Sequence, residues 1–221
     1  MTAPDRPRTV LFDWDNTLVD TWSVIHRALN ATLADLGRPT WSLAETQARV
    51  RRSAREAFPA WFGTDAERAA EIFYTRFERD HLDGLRPREG ADAMLAALAQ
   101  SGYDLAVISN KRSDLLRREV AHLGWQHHFR RLVGAGDAPR DKPDPAAVTL
   151  ALSNAPGDSD TPGPVWLVGD TDIDLAWAVN AGCVPVLLRE TPPQPGEFGD
   201  APPIHHALHC VEIAEWLAEQ R

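Results

Sequence analysis

The sequence predicts an α/β fold, with a mostly parallel sheet flanked by helices and one all-helical segment inserted after the first strand. From about residue 86 onward, short apolar strands alternate with amphipathic helices, a pattern typical of parallel sheets covered on both faces. Residues 21–85 show helical spacing of apolar residues and contain no strand candidate. The length of 221 residues leaves room for one core domain and an inserted piece.

The first strand is predicted at residues 9–13, a mostly apolar run that ends on Asp13 and is followed by a polar turn. Helical spacing of the apolar residues then predicts three consecutive helices, at residues 21–37, 42–58 and 65–82. The chain therefore leaves the sheet after its first strand and returns to it near residue 85.

The rest of the chain alternates between helices and strands. Helices are predicted at residues 89–100, 113–123, 145–154 and 172–180, with a closing amphipathic helix at residues 211–220. Strands are predicted at residues 104–108, 131–134, 165–168 and 184–188. Stretches rich in Pro, Gly and Asp predict surface loops at residues 156–164 and 190–203. Because ligands bind at the carboxyl ends of strands in such sheets, we expect a site there.

Composition and charge argue against several classes of function. Hydrophobic residues make up 43% of the chain, which is ordinary for a folded globular protein. The net charge of −9 argues against nucleic-acid binding, because that function needs a broad basic surface. The N-terminus has no apolar export signal, and no apolar run approaches the roughly 20 residues that cross a bilayer. Cys183 and Cys210 form no metal or redox spacing. We therefore expect a cytoplasmic protein without nucleic-acid or membrane partners.

Four polar clusters follow predicted strands. They are Asp13-Trp14-Asp15-Asn16-Thr17, Ser109-Asn110, Lys142-Pro143 and the acidic stretch at residues 169–174. Asp13 and Asp15 lie two residues apart just past a strand, where they can converge on one ion. Mg²⁺ prefers oxygen ligands and is typically held by one or two carboxylates, a role that suits Asp13 and Asp170. Each cluster alone is typical of an ordinary capped loop, but the combination favours a site.

In order and context, these clusters resemble the four motifs of the haloacid dehalogenase superfamily, and they look closest to its phosphoglycolate-phosphatase-like branch. The resemblance spans about residues 9–188. It implies a Rossmann-like catalytic core formed by residues 1–20 and 86–221, with residues 21–85 as a helical cap. It also implies Mg²⁺-dependent hydrolysis of a small, phosphoglycolate-like phosphomonoester through an aspartyl-phosphate intermediate.

The resemblance assigns a role to each matching residue. Asp13 is expected to be the nucleophile, and Asp15 to protonate the leaving alkoxide and then deprotonate the attacking water. The expected metal ligands are Asp13, Asp170 and the backbone carbonyl of Asp15. The expected phosphate-binding residues are Thr17, Ser109, Asn110 and Lys142. Asp174 is not expected to contact the substrate directly; it is expected to orient Lys142 or a water bound to the metal.

Several other polar residues have plainer interpretations. Asp172 is interpreted as a helix N-cap, and Lys111 as a helix-start lysine that points to solvent at least as readily as it holds phosphate. The arginine cluster of the inserted segment is interpreted as a solvated helix face in preference to a clamp for a substrate carboxylate; it comprises Arg49, Arg51, Arg52 and Arg55. The pairs His127-His128 and His205-His206 lack zinc-ligand context and are predicted to be loop residues.

Two positions depart from the family pattern, and three alternative functions remain open. Asn16 stands where the family commonly has Gly, and Trp14 where it has a smaller or aliphatic residue. A sugar phosphomutase of the same superfamily would return the phosphoryl group to a sugar. A carbon–halogen hydrolase is disfavoured because that branch does not need Asp15. A non-catalytic phosphoacceptor or binding protein would also group acids and a lysine around Mg²⁺.

Overall fold

A computed structural model describes residues 7–153 and 163–219. Its strands, in chain order, are β1 (Thr9–Phe12), β2 (Val19–Asp20), β3 (Arg86–Pro87), β4 (Asp104–Arg112), β5 (Arg131–Ala135), β6 (Val165–Gly169), β7 (Val184–Leu188) and β8 (His205–Ala207). Six of them form one sheet in the order β5-β4-β1-β6-β7-β8, in which every neighbouring pair is parallel. The predicted α/β class with a parallel sheet is confirmed.

Helices cover the sheet and build the inserted segment. They are α1 (Trp22–Asp35), α2 (Leu43–Arg49), α3 (Ala54–Phe62), α4 (Ala66–Gly84), α5 (Ala91–Gln100), α6 (Ser113–His122), α7 (Ala146–Leu152), α8 (Asp172–Asn180) and α9 (Cys210–Glu219). Short 3₁₀ turns lie at Gly63–Asp65 and Trp125–His128. Within the two described stretches, none of these helices is long and apolar enough to cross a membrane.

Two local predictions differ from the structure, and a third falls mostly outside the described residues. The single helix predicted at residues 42–58 is interrupted: α2 ends at Arg49, and Ser53 adopts an extended backbone that starts α3. The apolar spacing continues through this break, so the sequence pattern did not reveal it. The pair His205-His206 lies in the edge strand β8, where pairing with β7 compensates for the weak strand pattern of three residues. Most of the predicted loop at residues 156–164 lies outside the described residues. Asn154 and Gln220, the last residues of two predicted helices, also lie outside them.

Alternating side chains of the strands build a core on each face of the sheet. Along β1, Val10 and Phe12 belong to one buried cluster and Leu11 belongs to the other, as the two-residue period of a strand requires. Both clusters extend to the flanking helices. The sheet is therefore buried on both faces, and only its strand ends and edges are available for a site.

The inserted helices form a third apolar cluster. Leu29 of α1, Phe58 of α3 and Phe73 of α4 pack together there, and Leu115 from α6 of the core joins them. The residues just before and just after the inserted segment lie side by side, because β2 pairs antiparallel with β3 and Arg88 N donates to Leu18 O at 2.9 Å. These features are those of a segment that leaves and re-enters the core at one place, although the division at residues 20/21 and 85/86 stays a prediction.

Gly134 provides a test of the packing between β5 and the start of α6. A Cβ at this position would lie 2.4 Å from Ser113 Cα and 2.9 Å from Lys111 O, both of them backbone atoms that cannot move cheaply. We expect Gly134→Ala to lower the free energy of unfolding by about 1–3 kcal/mol in urea denaturation. Gly163→Ala is the matched control, because its Cβ would meet only Arg8 Cβ at 3.7 Å. Equal losses in the two variants would contradict this close approach.

Candidate active site

The carboxyl ends of three adjacent strands bring the predicted clusters together. β1 lies between β4 and β6, and Phe12 is in register with Val107 on one side and Val168 on the other. The residues that follow these positions therefore emerge beside one another at a single edge of the sheet. Asp13 continues β1, and its backbone N–H donates to Val168 O at 2.9 Å.

Asp13 is a buried carboxylate with two polar contacts. One oxygen, Oδ1, accepts a hydrogen bond from the Nζ of Lys142, and the other accepts from the Thr17 hydroxyl at 3.3 Å. Burial raises the pKa of Asp13 to about 7, even though Lys142 acts in the opposite direction. The charge of Asp174 contributes to this increase in pKa. The side chain thus sits in an environment that disfavours uncompensated negative charge.

Three carboxylates crowd around this point. Oxygens of Asp13, Asp170 and Asp174 all lie within 4.8 Å of one another. Lys142 donates to Asp13 and, at 3.0 Å, to Asp174, so one ammonium faces three acids. Burial, followed by the charges of Asp174 and Asp13, raises the pKa of Asp170 well above its ordinary value. A donor set made only of carboxylate oxygens suits a hard divalent cation, so these residues fit the metal that the sequence predicts.

Asp174 is held by the start of α8. Thr171 is the N-cap of that helix: its backbone N–H donates to Asp174 Oδ2 at 3.2 Å, and the Asp174 backbone N–H donates to the Thr171 hydroxyl at 3.3 Å. The Thr171 hydroxyl also donates to Asp174 Oδ2 at 2.6 Å. This capping box leaves Oδ1 free for Lys142. The N-cap interpretation of Asp172 was therefore wrong, because Thr171 has that place and Asp172 is the first residue of the helix.

The turn after β1 explains the unusual residue at position 16. Asn16 adopts φ of 67°, in the left-handed region where Gly is favoured and Asn is the best tolerated substitute. Its side-chain oxygen accepts from Thr21 N at 3.3 Å, which fixes the turn. Thr17, fully buried in the same turn, contacts Asp170 as well as Asp13, each at 3.3 Å. The departure at position 16 therefore preserves the backbone conformation.

Asp15 points away from the carboxylate group around Asp13. Its Oδ1 accepts from Lys111 Nζ at 2.6 Å and from the Thr21 hydroxyl at 2.7 Å, and Ser109 Oγ lies 3.5 Å from its Oδ2. Asn110 donates from Nδ2 to Lys142 O at 3.3 Å, which ties two predicted clusters together. All of the predicted site residues except Thr17, which is fully buried, therefore line one opening. The Asp15 carboxylate, however, has its own set of partners.

Lys111 is the main site residue that the sequence interpretation left out. Instead of pointing to solvent, it is buried and donates to both Asp15 and Glu119 Oε2, the latter at 2.7 Å. Burial alone would lower its pKa, but the two carboxylates outweigh burial and raise it. A signal for this was present in the sequence, since Lys111 and Lys142 are the only lysines among 23 basic residues.

Glu119 joins the core and the inserted segment through a buried network. It accepts from Trp14 Nε1 at 2.7 Å, from Lys111, and from Nδ1 of His81 on α4 at 2.8 Å. Burial opposes its ionisation, yet Lys111 and the other donors lower its pKa below the ordinary value. The second departure from the family pattern, Trp14, therefore supplies a hydrogen bond that a smaller or aliphatic residue lacks.

Two arginines of the inserted segment bind acids of the core. Arg55 forms a two-pronged ion pair with Asp141, both contacts being 2.6 Å, and Arg51 pairs with Asp172. The interpretation of these two as a solvated helix face was wrong. Arg49 instead lies over the Trp41 ring at 4.9 Å. Arg52 is exposed and has no ion pair or hydrogen bond with any residue in the described part of the chain.

A cavity of about 160 Å³ separates the sheet edge from the inserted helices. Its polar side, called the floor below, includes Asp13, Asp15, Ser109, Lys142 and Asp170. Its opposite side, called the roof below, comes from the inserted segment and is mostly aromatic and aliphatic. A bound molecule would therefore meet two walls of opposite chemistry.

Comparisons with known proteins point to one family. The model of the haloacid dehalogenase-like hydrolases matches residues 10–187. A phosphoglycolate phosphatase of Cereibacter sphaeroides is 32% identical over 194 residues, covering 82% of this chain and 84% of that relative. One from Pseudomonas fluorescens is 32% identical over 193 residues, covering 82% and 69%. A haloacid dehalogenase-like hydrolase structure from Streptococcus pneumoniae shares the fold, with TM-score 0.80 at 19% identity over 96% of this chain and 98% of that one.

The buried network around Glu119 predicts a large stability effect. Glu119→Gln removes the carboxylate that accepts from three buried donors, so we expect the free energy of unfolding to fall by about 3 kcal/mol. Glu78→Gln is the matched control, because Glu78 pairs with Arg112 in a half-exposed position and should cost less than about 1 kcal/mol. Urea denaturation of both variants measures the difference. A loss no larger for Glu119→Gln than for Glu78→Gln would contradict the network.

Proposed function

The chain belongs to the haloacid dehalogenase-like hydrolase family, and on that premise we propose that it is a magnesium-dependent phosphatase acting through an aspartyl phosphate. The reaction class is that of a phosphoric monoester hydrolase with a small phosphorylated substrate. The observation that carries the proposal is the position of Asp13. This buried carboxylate lies on the cavity floor, next to Lys142 and Asp170 and in the same turn as Asp15.

The proposed first step transfers the phosphoryl group to Asp13. An Asp13 carboxylate oxygen forms a bond to phosphorus while the bond between phosphorus and the ester oxygen breaks. Asp15, on the other side of the turn, gives a proton to the leaving alkoxide. The alcohol then departs through the cavity, and the enzyme retains an acyl phosphate on Asp13.

The second step returns the enzyme to its starting state. Asp15 takes a proton from a water molecule, whose oxygen bonds to phosphorus as the bond from phosphorus to Asp13 breaks. Inorganic phosphate leaves and Asp13 is again a carboxylate. One residue thus serves as acid and then as base, a role that typically contributes about 10²- to 10⁴-fold to the rate.

The surrounding donors stabilise the phosphoryl oxygens. Lys142 supplies a positive charge, and Ser109 and Asn110 supply hydroxyl and amide donors at the same opening. The buried Thr17 hydroxyl contacts Asp13 and Asp170 instead of lining that opening. Mg²⁺ held by the carboxylates of Asp13 and Asp170 and by the Asp15 backbone carbonyl would offset the negative charge of both acids and substrate. Asp174 acts through Lys142, whose ammonium it anchors.

We further propose that residues 21–85 act as a cap over the cavity. Ion pairs join this segment to the core at Arg55–Asp141, Arg51–Asp172 and Glu78–Arg112. Asp141 directly precedes Lys142, so one of these pairs acts beside a proposed phosphate ligand. Such a cap would exclude water during the first step and contact the leaving group.

Asp13→Asn tests the nucleophile directly. We expect this variant to lose about 10³-fold or more of the Mg²⁺-dependent release of phosphate from para-nitrophenyl phosphate, because an amide oxygen is a poor nucleophile. Phosphoglycolate, the substrate named for the relatives, is assayed beside it. Asp35→Asn is the matched control, since Asp35 is an exposed acid that pairs with Arg76 away from the cavity.

The same assay separates the alternatives. Full activity in Asp13→Asn would contradict the nucleophile assignment. A single phosphorylation of the wild-type protein without turnover would identify a phosphoacceptor. Return of the phosphoryl group to a sugar phosphate, seen by product analysis, would identify a phosphomutase. Wild-type activity that survives removal of divalent cations with EDTA would contradict the magnesium assignment.

A further inference from the structure

The roof of the cavity is apolar where a leaving group must lie. Side chains that line it from the inserted segment include Trp22, Ile25, Phe58, Trp61, Phe73 and Tyr74. A substrate whose phosphoryl group meets Asp13 on the floor must direct its alcohol part toward this wall. The chemistry of the roof therefore bears on which alcohol the site accepts.

Several roof residues keep apolar surface exposed to the cavity in addition to packing in the core of the inserted helices. Phe58 and Phe73 are nearly inaccessible and pack edge-to-face at 5.5 Å, as expected for the core of the inserted helices. Trp22, Ile25 and Trp61 are only partly buried, so each still presents apolar surface at the cavity. Burying that surface against an apolar group would be favourable, and a hydrated polar group would gain nothing from it.

The cations around the cavity are already engaged. Lys142 faces Asp13 and Asp174, Lys111 faces Asp15 and Glu119, Arg51 faces Asp172, and Arg112 faces Asp114 and Glu78. In the described part of the chain, the one cavity-lining cation without such a partner is Arg52, which is exposed. Among these described residues, Arg52 is therefore the one cation left for a second carboxylate on the substrate, as in phosphoglycolate. Because Arg52 is exposed, water screens its charge, and a carboxylate placed against the rest of the apolar roof would be costly.

We infer that the alcohol part of the substrate is apolar, so that aryl-methyl or branched alkyl phosphomonoesters are better substrates than phosphoglycolate. This inference rests on the proposed phosphatase function, because the position of Asp13 defines which end of the cavity receives the phosphoryl group.

A substrate series with matched leaving groups tests the inference. Benzyl phosphate, ethyl phosphate and phosphoglycolate all release a primary alcohol, so differences in kcat/KM report mainly on contacts of the alcohol part. Each buried methylene contributes about fourfold, so we expect benzyl phosphate to exceed ethyl phosphate on the order of 10²-fold. Phosphoglycolate is expected to fall below both.

Variants then locate the preference. Trp61→Ala should reduce the ratio of kcat/KM for benzyl over ethyl phosphate by about 10-fold, because it removes roof surface without touching the floor. Trp216→Ala, outside the cavity and stacked on Trp166, is the matched control and should leave that ratio unchanged. The wild-type series decides the matter alone if Trp61→Ala does not fold.

The outcomes separate this inference from the proposed function. A phosphoglycolate kcat/KM above that of benzyl phosphate, or a benzyl value no higher than the ethyl value, would overturn the apolar substrate while leaving a phosphatase in place. A ratio insensitive to Trp61→Ala in a folded variant would also overturn the assignment to the roof. Absence of phosphate release from all three esters and from para-nitrophenyl phosphate would reject the phosphatase itself.

Discussion

The architecture of the site depends on one electrostatic constraint, which is the crowding of three carboxylates, two of them buried and one half-buried, beside a single lysine. Asp13, Asp170 and Asp174 are held within 4.8 Å of one another, and like charges at that distance in a poorly hydrated site repel strongly. Lys142 offsets part of this repulsion by bridging two of the acids. The raised pKa values of Asp13 and Asp170 express the part that remains. A divalent cation is the natural complement to such a site.

Neighbouring elements hold this arrangement in place. The capping box at Thr171 fixes Asp174, and Asp174 in turn positions the ammonium of Lys142. Gly169 permits the approach, because a Cβ there would lie 2.4 Å from the Cβ of Asp174. A second charged group, built on Lys111 and Glu119, binds the Asp15 carboxylate. The proposed nucleophile and the proposed acid–base residue therefore have different cationic partners within one turn, Lys142 for Asp13 and Lys111 for Asp15.

The sequence revealed the sheet and its polar strand ends, because both depend on local patterns. The proximity of Asp13 and Asp170 could be predicted from the sequence, since parallel neighbouring strands end at the same edge of the sheet. Glu119 could not be found in this way, because it accepts a hydrogen bond from Trp14, which is 105 positions away. The residues next to Glu119 in the sequence do not indicate that its carboxylate is buried. The pairing of Arg51 with Asp172 is also long-range, and the sequence around an arginine does not identify the acid that it pairs with. The sequence did not predict strand β8, because pairing with β7 stabilises this strand and its own composition does not indicate one.

Identification of the phosphorylated residue tests the central claim most directly. The enzyme is acid-quenched during turnover of a phosphomonoester with Mg²⁺, digested, and mapped by mass spectrometry. The account predicts a hydroxylamine-sensitive phosphoryl group on Asp13 and on no other residue. A phosphoryl group on Thr17, Ser109 or a histidine, or steady turnover in Asp13→Asn, would contradict it.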